Sequence, residues 1–175
     1  MIILKIIKKK IVIPPRPEYI LEKITNNTIV IKWNNPKYSF YAAKGLEYEI
    51  RLRPVGPELK WIYLSNYEIR QNRSEYKIIV KNLPYAYFSY DLSVRLRVKK
   101  LGRIDDSYWS EPYIQRFKTL ACPPDTAPLT DVGSFYIDSS ETKVRLYWHQ
   151  LPFYKENGPN FQYVVKRVMR DDVTV

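Results

Sequence analysis

The sequence is poor in the residues on which enzymes and metal proteins depend. It has one cysteine, Cys122, and one histidine, His149, in 175 residues. A single cysteine excludes an internal disulfide, and a single histidine excludes most zinc sites and leaves one base for any serine or cysteine nucleophile. His149 lies within the apolar alternation of Leu146, Trp148 and Leu151, which favours a strand residue. We therefore expect no enzymatic activity, no metal and no cofactor.

Glycine and long apolar runs are also scarce. Five glycines, scattered singly, cannot form a Gly-rich phosphate-binding loop. No apolar stretch is longer than that from Met1 to Leu4, which is too short to span a bilayer, and the lysines that follow it leave no apolar segment of the kind that a signal peptide needs. Either the chain is cytosolic, or its true N-terminus lies outside this sequence.

Basic residues are concentrated in the first two thirds of the chain. The net charge is +11, of which residues 1–15 carry +4, residues 16–119 carry +8 and residues 120–175 carry −1. Such a balance occurs in nucleic-acid-binding proteins, but their helix-turn-helix, zinc-finger and RNA-binding strand motifs are missing here. We therefore expect no nucleic-acid partner.

Aromatic residues in alternating runs are abundant. The 16 Tyr and 4 Trp favour strands, and apolar residues recur at every second position with polar residues between them. The predicted strands of the first half are 19–22, 28–33, 47–53, 61–64, 75–80, 90–99 and 109–118. Seven short strands with turn signals between them favour an all-β, two-sheet sandwich.

An internal repeat divides the chain. Trp33 is followed by Tyr48 after fifteen residues, and Trp148 is followed by Tyr163 at the same spacing, so that the two pairs differ by an offset of 115. Each Trp also ends an apolar alternation and precedes a proline by at most four residues. Repeats of this kind indicate tandem units.

The predicted organisation has four parts. They are a remnant or strand of a missing upstream domain at 1–13, a complete sandwich at 14–119, a stiff Pro-rich linker at 120–128 and a second sandwich at 129–175. The second unit stops ten residues after Val165, so we expect it to be truncated. Half a sandwich cannot cover its own core or strand edge, and the chain is therefore expected to be a piece of a longer protein.

Three residues of the first unit resemble those of fibronectin type III domains. Trp33 ends a predicted strand, Leu83 precedes a turn, and Tyr90 opens the next strand. In that family the Leu fills the core beneath a tyrosine corner, a Tyr whose hydroxyl bonds back to the backbone. Tyr87 is the alternative corner residue.

A second resemblance is more specific. Arg95 and Arg97 lie on the polar face of one predicted strand, and the next begins Trp109-Ser110-Glu-Pro112. This resembles the ligand-binding module of class I cytokine receptors, in which arginines interleave with the tryptophans of a W-S-x-W-S motif. The resemblance implies a cation–π ladder of Arg95, Arg97 and Trp109, with Ser110 beside it. Because Pro112 replaces the second Trp, we expect a shorter ladder.

The stretch from Trp148 to Tyr163 looks like the fibronectin domain that follows this module in receptors of the leukaemia-inhibitory-factor type, and among invertebrate families the chain resembles Domeless. The resemblance implies an extracellular fragment of a type I membrane protein that binds a helical cytokine, in a homo- or hetero-oligomer. Signalling through Janus kinase and STAT would use a membrane span and tail outside this chain. The alternative is a fibronectin pair from an adhesion receptor or a receptor phosphatase.

In such receptors, loops at one end of each sandwich hold the ligand. One loop here contains Tyr38, Phe40 and Tyr41, and a second contains Lys100 and Arg103. Aromatic residues at loop tips are typical of interface hot spots, and cations can steer a partner. We expect these five residues to form a ligand-binding patch. The alternative is that the rings pack beneath their own loop.

Three further residues are candidates for modification. Asn26 and Asn72 each begin an Asn-x-Ser/Thr sequon in a predicted turn, and both are predicted glycosylation sites. Cys122 lies in the predicted linker, where it either pairs with another subunit or an absent segment or, more simply, stays an unpaired thiol.

Overall fold

The computed structural model describes residues 13–34, 41, 45–56, 60–72, 75–99, 108–138, 140 and 143–165. Within these ranges lie ten β-strands and a 3-10 helix at Phe153–Lys155. The strands are β1 (Ile20–Ile24), β2 (Ile29–Asn34), β3 (Leu46–Pro54), β4 (Ile62–Tyr63), β5 (Tyr67–Asn72), β6 (Glu75–Val80), β7 (Ser89–Val98), β8 (Tyr113–Lys118), β9 (Phe135–Asp138) and β10 (Lys143–Leu146). No helix in the described ranges is long and apolar enough to cross a membrane.

Strands β1 to β8 form two antiparallel four-stranded sheets, which together we call the first sandwich. The sheet orders are β1-β2-β6-β5 and β4-β3-β7-β8. On β7, Leu92, Val94 and Leu96 are completely buried between the sheets, whereas Arg95 and Arg97 on the opposite face are partly exposed. The period-2 alternation therefore arises because one face of the strand is buried between the sheets and the other faces solvent. The predicted all-β sandwich class is confirmed.

The core consists of buried side chains from both sheets. They are Tyr19, Ile29, Ile31, Trp33, Ile50, Leu52, Tyr76, Ile78, Val80, Leu83, Phe88, Tyr90, Leu92, Val94, Leu96 and Phe117. Trp33 stacks on Tyr76 with ring centroids 5.4 Å apart. The buried Tyr19 hydroxyl donates to the Leu92 carbonyl at 2.6 Å. Since each such side chain contributes about 1.5–3 kcal/mol on burial, this core is the main source of stability.

The tyrosine corner is formed by Tyr90. Its hydroxyl donates to the Tyr85 carbonyl at 3.0 Å and accepts the Tyr85 N–H at 2.7 Å, while Leu83 is buried nearby in the same core. Burial raises the pKa of Tyr90 above its ordinary value. Tyr87 is partly exposed with a φ of 50°, and the Lys118 ammonium lies 3.4 Å from its ring centroid. The corner prediction is thus confirmed for Tyr90 rather than Tyr87.

Two strands differ from the prediction. Strand β5 was not expected, because most of its residues are exposed and polar and it lies at a sheet edge, where no alternation is required. Strand β8 begins at Tyr113 rather than at Trp109. Pro112 has no N–H to donate to a neighbouring strand, which ends the ladder there.

The second unit is described at residues 129–138, 140 and 143–165, and it contains the β9–β10 hairpin. Phe135 pairs with Leu146 and Ile137 with Val144, so one face of the hairpin is apolar, and each of these side chains is at least 45% exposed. An exposed face of this kind is the face that a second sheet covers in a sandwich.

The repeat seen in the sequence corresponds to a repeated contact. Trp33 lies against Tyr48 with ring centroids 6.3 Å apart, and Trp148 lies against Tyr163 with centroids 5.3 Å apart. His149, interpreted from the sequence as a strand residue, instead follows β10. Its Nε2 lies 2.7 Å from an Asp131 carboxylate oxygen on the surface.

Candidate functional site

The outer face of the β4-β3-β7-β8 sheet carries the residues of the predicted ladder. Because side chains of β7 alternate between the two faces, Ser93, Arg95 and Arg97 lie opposite the core residues of the same strand. Both arginines are held on a strand whose inner side chains are completely buried. Their backbone positions are therefore rigid, and only the side chains remain to be oriented.

Ser110 fixes the segment that carries Trp109. The Ser110 N–H donates to the Leu96 carbonyl at 2.7 Å, and the Ser110 hydroxyl accepts the Leu96 N–H at 3.0 Å. The hydroxyl also donates to the Glu111 carbonyl at 3.1 Å, and Ser110 is buried. A Trp-Ser pair thus places the indole next to β7 without a regular strand at that point.

Both predicted arginines lie over the single indole. The Cζ atom of Arg97 is 4.3 Å from the Trp109 ring centroid, and that of Arg95 is 4.9 Å from it. Planar guanidinium groups at this range are attracted by the negative ring face, and each contact contributes about 0.5–1 kcal/mol at exposed sites.

Carboxylates on β3 hold the same arginines from the other side. In the β3–β7 register, Glu49 is directly opposite Arg95 and Glu47 is opposite Arg97. Arg95 donates from Nε and Nη2 to the two Glu49 oxygens at 2.6 and 2.8 Å, and Arg97 Nε donates to Glu47 at 2.5 Å. The Arg95–Glu49 pair is bidentate, which makes it geometrically specific. Each arginine is therefore fixed between a carboxylate and the indole.

The electrostatics at Glu49 follow from this arrangement. Burial acts to raise the pKa of the Glu49 carboxyl, but the hydrogen bonds from Arg95 and the ion pair with the nearby Arg51 outweigh it and hold the pKa below its usual value. Arg51 Nε lies 2.6 Å from a Glu49 oxygen. Glu49 is thus an ionised bridge between two strands at neutral pH.

The array continues to the sheet edge, which sequence reasoning missed. Arg51 Cζ is 4.6 Å from the Tyr63 ring centroid, and Arg53 Cζ is 4.8 Å from that of Trp61. Trp61 and Tyr63 were predicted as strand residues, with no role in stacking. The available signal was the matching two-residue spacing of the aromatics and of Arg51 and Arg53. Aromatic residues of β4 and its flank thus extend the ladder on the side away from Trp109.

A buried carboxylate closes this end of the array. Asp91 accepts from Arg53 Nη2 at 2.7 Å and from Arg116 Nε and Nη2 at 2.7 and 3.2 Å, and its side chain is 6% exposed. The hydrogen bond from Arg116, followed by that from Arg53, lowers the pKa of Asp91 against the opposing effect of burial. The face is thus a continuous array of arginines, carboxylates and aromatic rings across four strands.

The predicted ligand-binding patch lies largely outside the described residues. Tyr38, Phe40, Lys100 and Arg103 all fall there. Tyr41 is described, and it is half-buried and packs against the core of the first sandwich. The Tyr41 ring therefore contributes to packing of the first sandwich.

The two loops that would carry the patch are bonded to each other where one enters β3 and the other leaves β7. The Lys99 N–H donates to the Gly45 carbonyl at 2.9 Å, and these residues border the two loop segments. Gly45 has a φ of 77°, a conformation that side chains disfavour, so a glycine suits this junction.

The candidate modification sites lie at the surface of the fold. Asn26 is half-buried in the bend between β1 and β2, and Asn72 is exposed at the end of β5. Cys122 is half-buried and has a free thiol.

Comparison with known proteins adds a relation at the level of sequence. No protein-family profile matches the chain. It is 31% identical over 163 residues to "Cytokine receptor" of Drosophila melanogaster, a match that covers 87% of this chain and 12% of that protein. It is also 31% identical over 105 residues to "Protein sidekick-1" of Homo sapiens, covering 59% of this chain and 4% of that protein. The chain therefore spans a small part of both relatives, and it is distantly related to a cytokine receptor.

Proposed function

We propose that this chain is part of the extracellular portion of a class I cytokine receptor of the leukaemia-inhibitory-factor-receptor or Domeless type, and that it binds a helical cytokine without catalysing a reaction. The observation that supports this most is the stacking of Arg95 and Arg97 on Trp109, with Ser110 bonded to β7. The sequence relation to the Drosophila receptor, over 87% of this chain, adds to that support.

The array would serve recognition indirectly. It stiffens strands β3, β7 and β8 on one face, and the loop that leads into β3 ends at Gly45, next to Lys99, where the loop that leaves β7 begins. A rigid sheet presents loops in a defined orientation, which reduces the entropy lost on binding. The proposed contact residues in these loops are Tyr38, Phe40, Tyr41, Lys100 and Arg103.

A receptor chimaera tests the proposal. The segment of the Drosophila receptor that aligns with this chain is replaced by the chain itself, and a STAT-dependent reporter is measured after addition of the ligand of that receptor. We expect ligand-dependent reporter activity. A matched chimaera with an unrelated fibronectin pair of similar length should be inactive. Equal surface expression with no reporter response from our chimaera would contradict the proposal.

Loop variants locate the contact. Phe40→Ala in the active chimaera should weaken ligand binding by about 1–2 kcal/mol, the usual range for an aromatic hot spot. Tyr136→Ala is the matched control, since it removes an exposed ring from β9 of the second unit, outside both loops and outside the array. Unchanged affinity in the Phe40 variant would place the contact elsewhere.

The same proposal implies a location. As part of a type I membrane receptor that signals through Janus kinases in a homo- or hetero-oligomer, the chain would pass through the secretory pathway. Asn26 and Asn72 would then carry glycans, and each Asn→Gln variant should remove one glycosidase-sensitive mass increment. A secreted chain without such increments would count against use of the sequons.

An adhesion receptor or receptor-phosphatase ectodomain remains the alternative. Such a fibronectin pair would have no use for the cytokine and would leave the reporter silent in every chimaera. The match to the cytokine receptor covers more of the chain than the match to sidekick-1 does, 87% against 59%, and this favours the cytokine receptor.

A further inference from the structure

The backbone passes from the first sandwich to the second unit within three residues. Leu120 belongs to the sandwich, since its N–H donates to the Thr25 carbonyl at 3.1 Å and its carbonyl accepts the Tyr87 N–H at 3.0 Å. The Cys122 N–H already donates to the Asn157 carbonyl of the second unit at 3.0 Å. Only Ala121 separates the two sets of bonds, so the first residues of the predicted linker are not a free spacer.

Asn157 and Gly158 of the second unit pack closely against residues 121–123. Asn157 is 6% exposed and has a φ of 58°, a left-handed conformation that asparagine tolerates. Its side-chain amide donates to the Pro123 carbonyl at 3.4 Å. A side chain at Gly158 would begin 3.6 Å from the Cβ atom of Ala121, in van der Waals contact. The linker is thus packed against the second unit as well as bonded to it.

Four aromatic rings join the two units beside this segment. The Tyr85 ring lies 5.0 Å from that of Tyr154, and the Phe88 ring lies 6.1 Å from that of Phe153. Within the first sandwich, the ring centroids of Tyr85 and Phe88 are 5.3 Å apart. Within the 3-10 helix, those of Phe153 and Tyr154 are 5.5 Å apart. Aromatic pairs at these distances contribute beyond their buried area.

The sandwich side of this cluster is itself rigid. Tyr85 is held by the Tyr90 hydroxyl, as described above. The buried Thr119 hydroxyl accepts the Phe88 N–H at 2.9 Å and lies 3.1 Å from the Tyr85 carbonyl, to which it can donate. The tyrosine corner therefore fixes the very loop on which the 3-10 helix of the second unit rests.

We propose that this joint is a fixed elbow, which holds the second unit in one orientation relative to the first sandwich. Units joined by a flexible linker with few contacts move independently. Here, backbone bonds on both sides of Ala121 and four packed rings oppose such motion. A displacement of the sandwich would then be carried into the second unit as a rigid-body movement. The inference goes beyond the proposed function and does not depend on it.

Residual dipolar couplings and 15N relaxation of the 175-residue chain test the elbow. We expect amides of β2, β6 and β7 and those of β9 and β10 to share one alignment tensor and one rotational correlation time. Separate tensors in the unmodified chain would overturn the proposal.

Substitution on the sandwich side gives the sharper test. Tyr85→Ala removes one ring of the cluster but keeps the backbone groups that bond Tyr90, and it leaves the sequence of the second unit unchanged. The two units should then need separate tensors, with a shorter correlation time for the hairpin. Phe135→Ala, which removes an exposed ring from β9, is the control and should keep a single tensor.

A second variant covers the other side of the joint. Phe153→Ala combined with Tyr154→Ala should give the same separation of tensors, while the chemical shift of the Trp148 indole N–H reports whether the second unit stays folded. A single shared tensor in both the Tyr85 variant and this double variant would show that the rings do not fix the joint.

Discussion

Glu49 offers the most direct test of how the outer face contributes to stability. Its two oxygens accept a bidentate pair of bonds from Arg95 at 2.6 and 2.8 Å, and Arg51 Nε lies 2.6 Å away. The Glu49 side chain is 16% exposed. The substitution Glu49→Gln keeps the size of the side chain and removes its charge, so it isolates the electrostatic contribution.

The expected loss follows from the geometry. Hydrogen bonds to charged groups contribute about 1.5–3 kcal/mol. The glutamine still offers one acceptor, and the two arginines are exposed enough to regain some water, which reduces the loss. We therefore expect the free energy of unfolding to fall by about 2 kcal/mol at pH 7. In a domain of this size that corresponds to a decrease in Tm of about 10 °C.

The pH dependence has a definite sign. The pKa of Glu49 is lowered in the folded state, whereas an unfolded Glu has a pKa of about 4.3. The stability from this carboxylate is therefore fully present above pH ~4.3 and is lost as the pH falls through the folded pKa. The difference between the unmodified chain and the Gln variant should shrink as the pH is lowered from about 5 toward 3.

Urea unfolding followed by tryptophan fluorescence measures this difference. Glu49→Gln and its reference protein are both measured with the additional substitution Trp148→Phe. The remaining tryptophans, all in the first unit, then report the unfolding of the sandwich. Glu68→Gln is the control, because Glu68 forms an exposed pair with Arg70 on the other sheet and should matter little. An unchanged midpoint at pH 7, or a difference as large at pH 3 as at pH 7, would refute the reasoning.

Three further predictions address other parts of the molecule. Tyr90→Phe leaves the Tyr85 N–H without its acceptor and should lower the free energy of unfolding by about 1–2 kcal/mol in the same urea assay; a change within error would contradict the corner's role. Trp109→Ala removes both guanidinium contacts and should destabilise the sandwich by about 1–2 kcal/mol, with Arg95→Lys intermediate; equal stability of all three proteins would show that the stack contributes nothing. Ile137→Thr with Val144→Thr should increase the monomer fraction in light scattering without moving the unfolding midpoint of the sandwich, whereas increased aggregation would show that the hairpin face is covered in solution.

Much of the first sandwich could be predicted because its signals are local. The alternation along β7 requires only that successive side chains point to opposite faces, which holds for any strand. The same rule placed Arg95 and Arg97 on one face. The Trp-Ser pair was recognised from residues adjacent in the chain, and Ser110 adopts its role through bonds to a neighbouring strand.

Strand β5 and the start of β8 could not be predicted in this way. The residues of β5 are exposed on an edge, so burial imposed no alternation on them. At Trp109 the segment bonds to Leu96 through a side chain and not through a regular ladder, a difference that apolar periodicity does not report. The ligand-binding patch remains a prediction, with four of its five residues outside the described ranges.

The fold class, the repeat and the faces on which the charged and aromatic residues lie could be read from the chain alone, because they depend on alternation and on spacing between residues near in sequence. Which of those residues meet depends on the tertiary structure. Trp61 reaches Arg53, Asp91 bridges Arg53 and Arg116, and Tyr85 packs on Tyr154. These contacts depend on sheet order, register and the docking of the second unit, which arise when segments distant in the chain bury their apolar faces together.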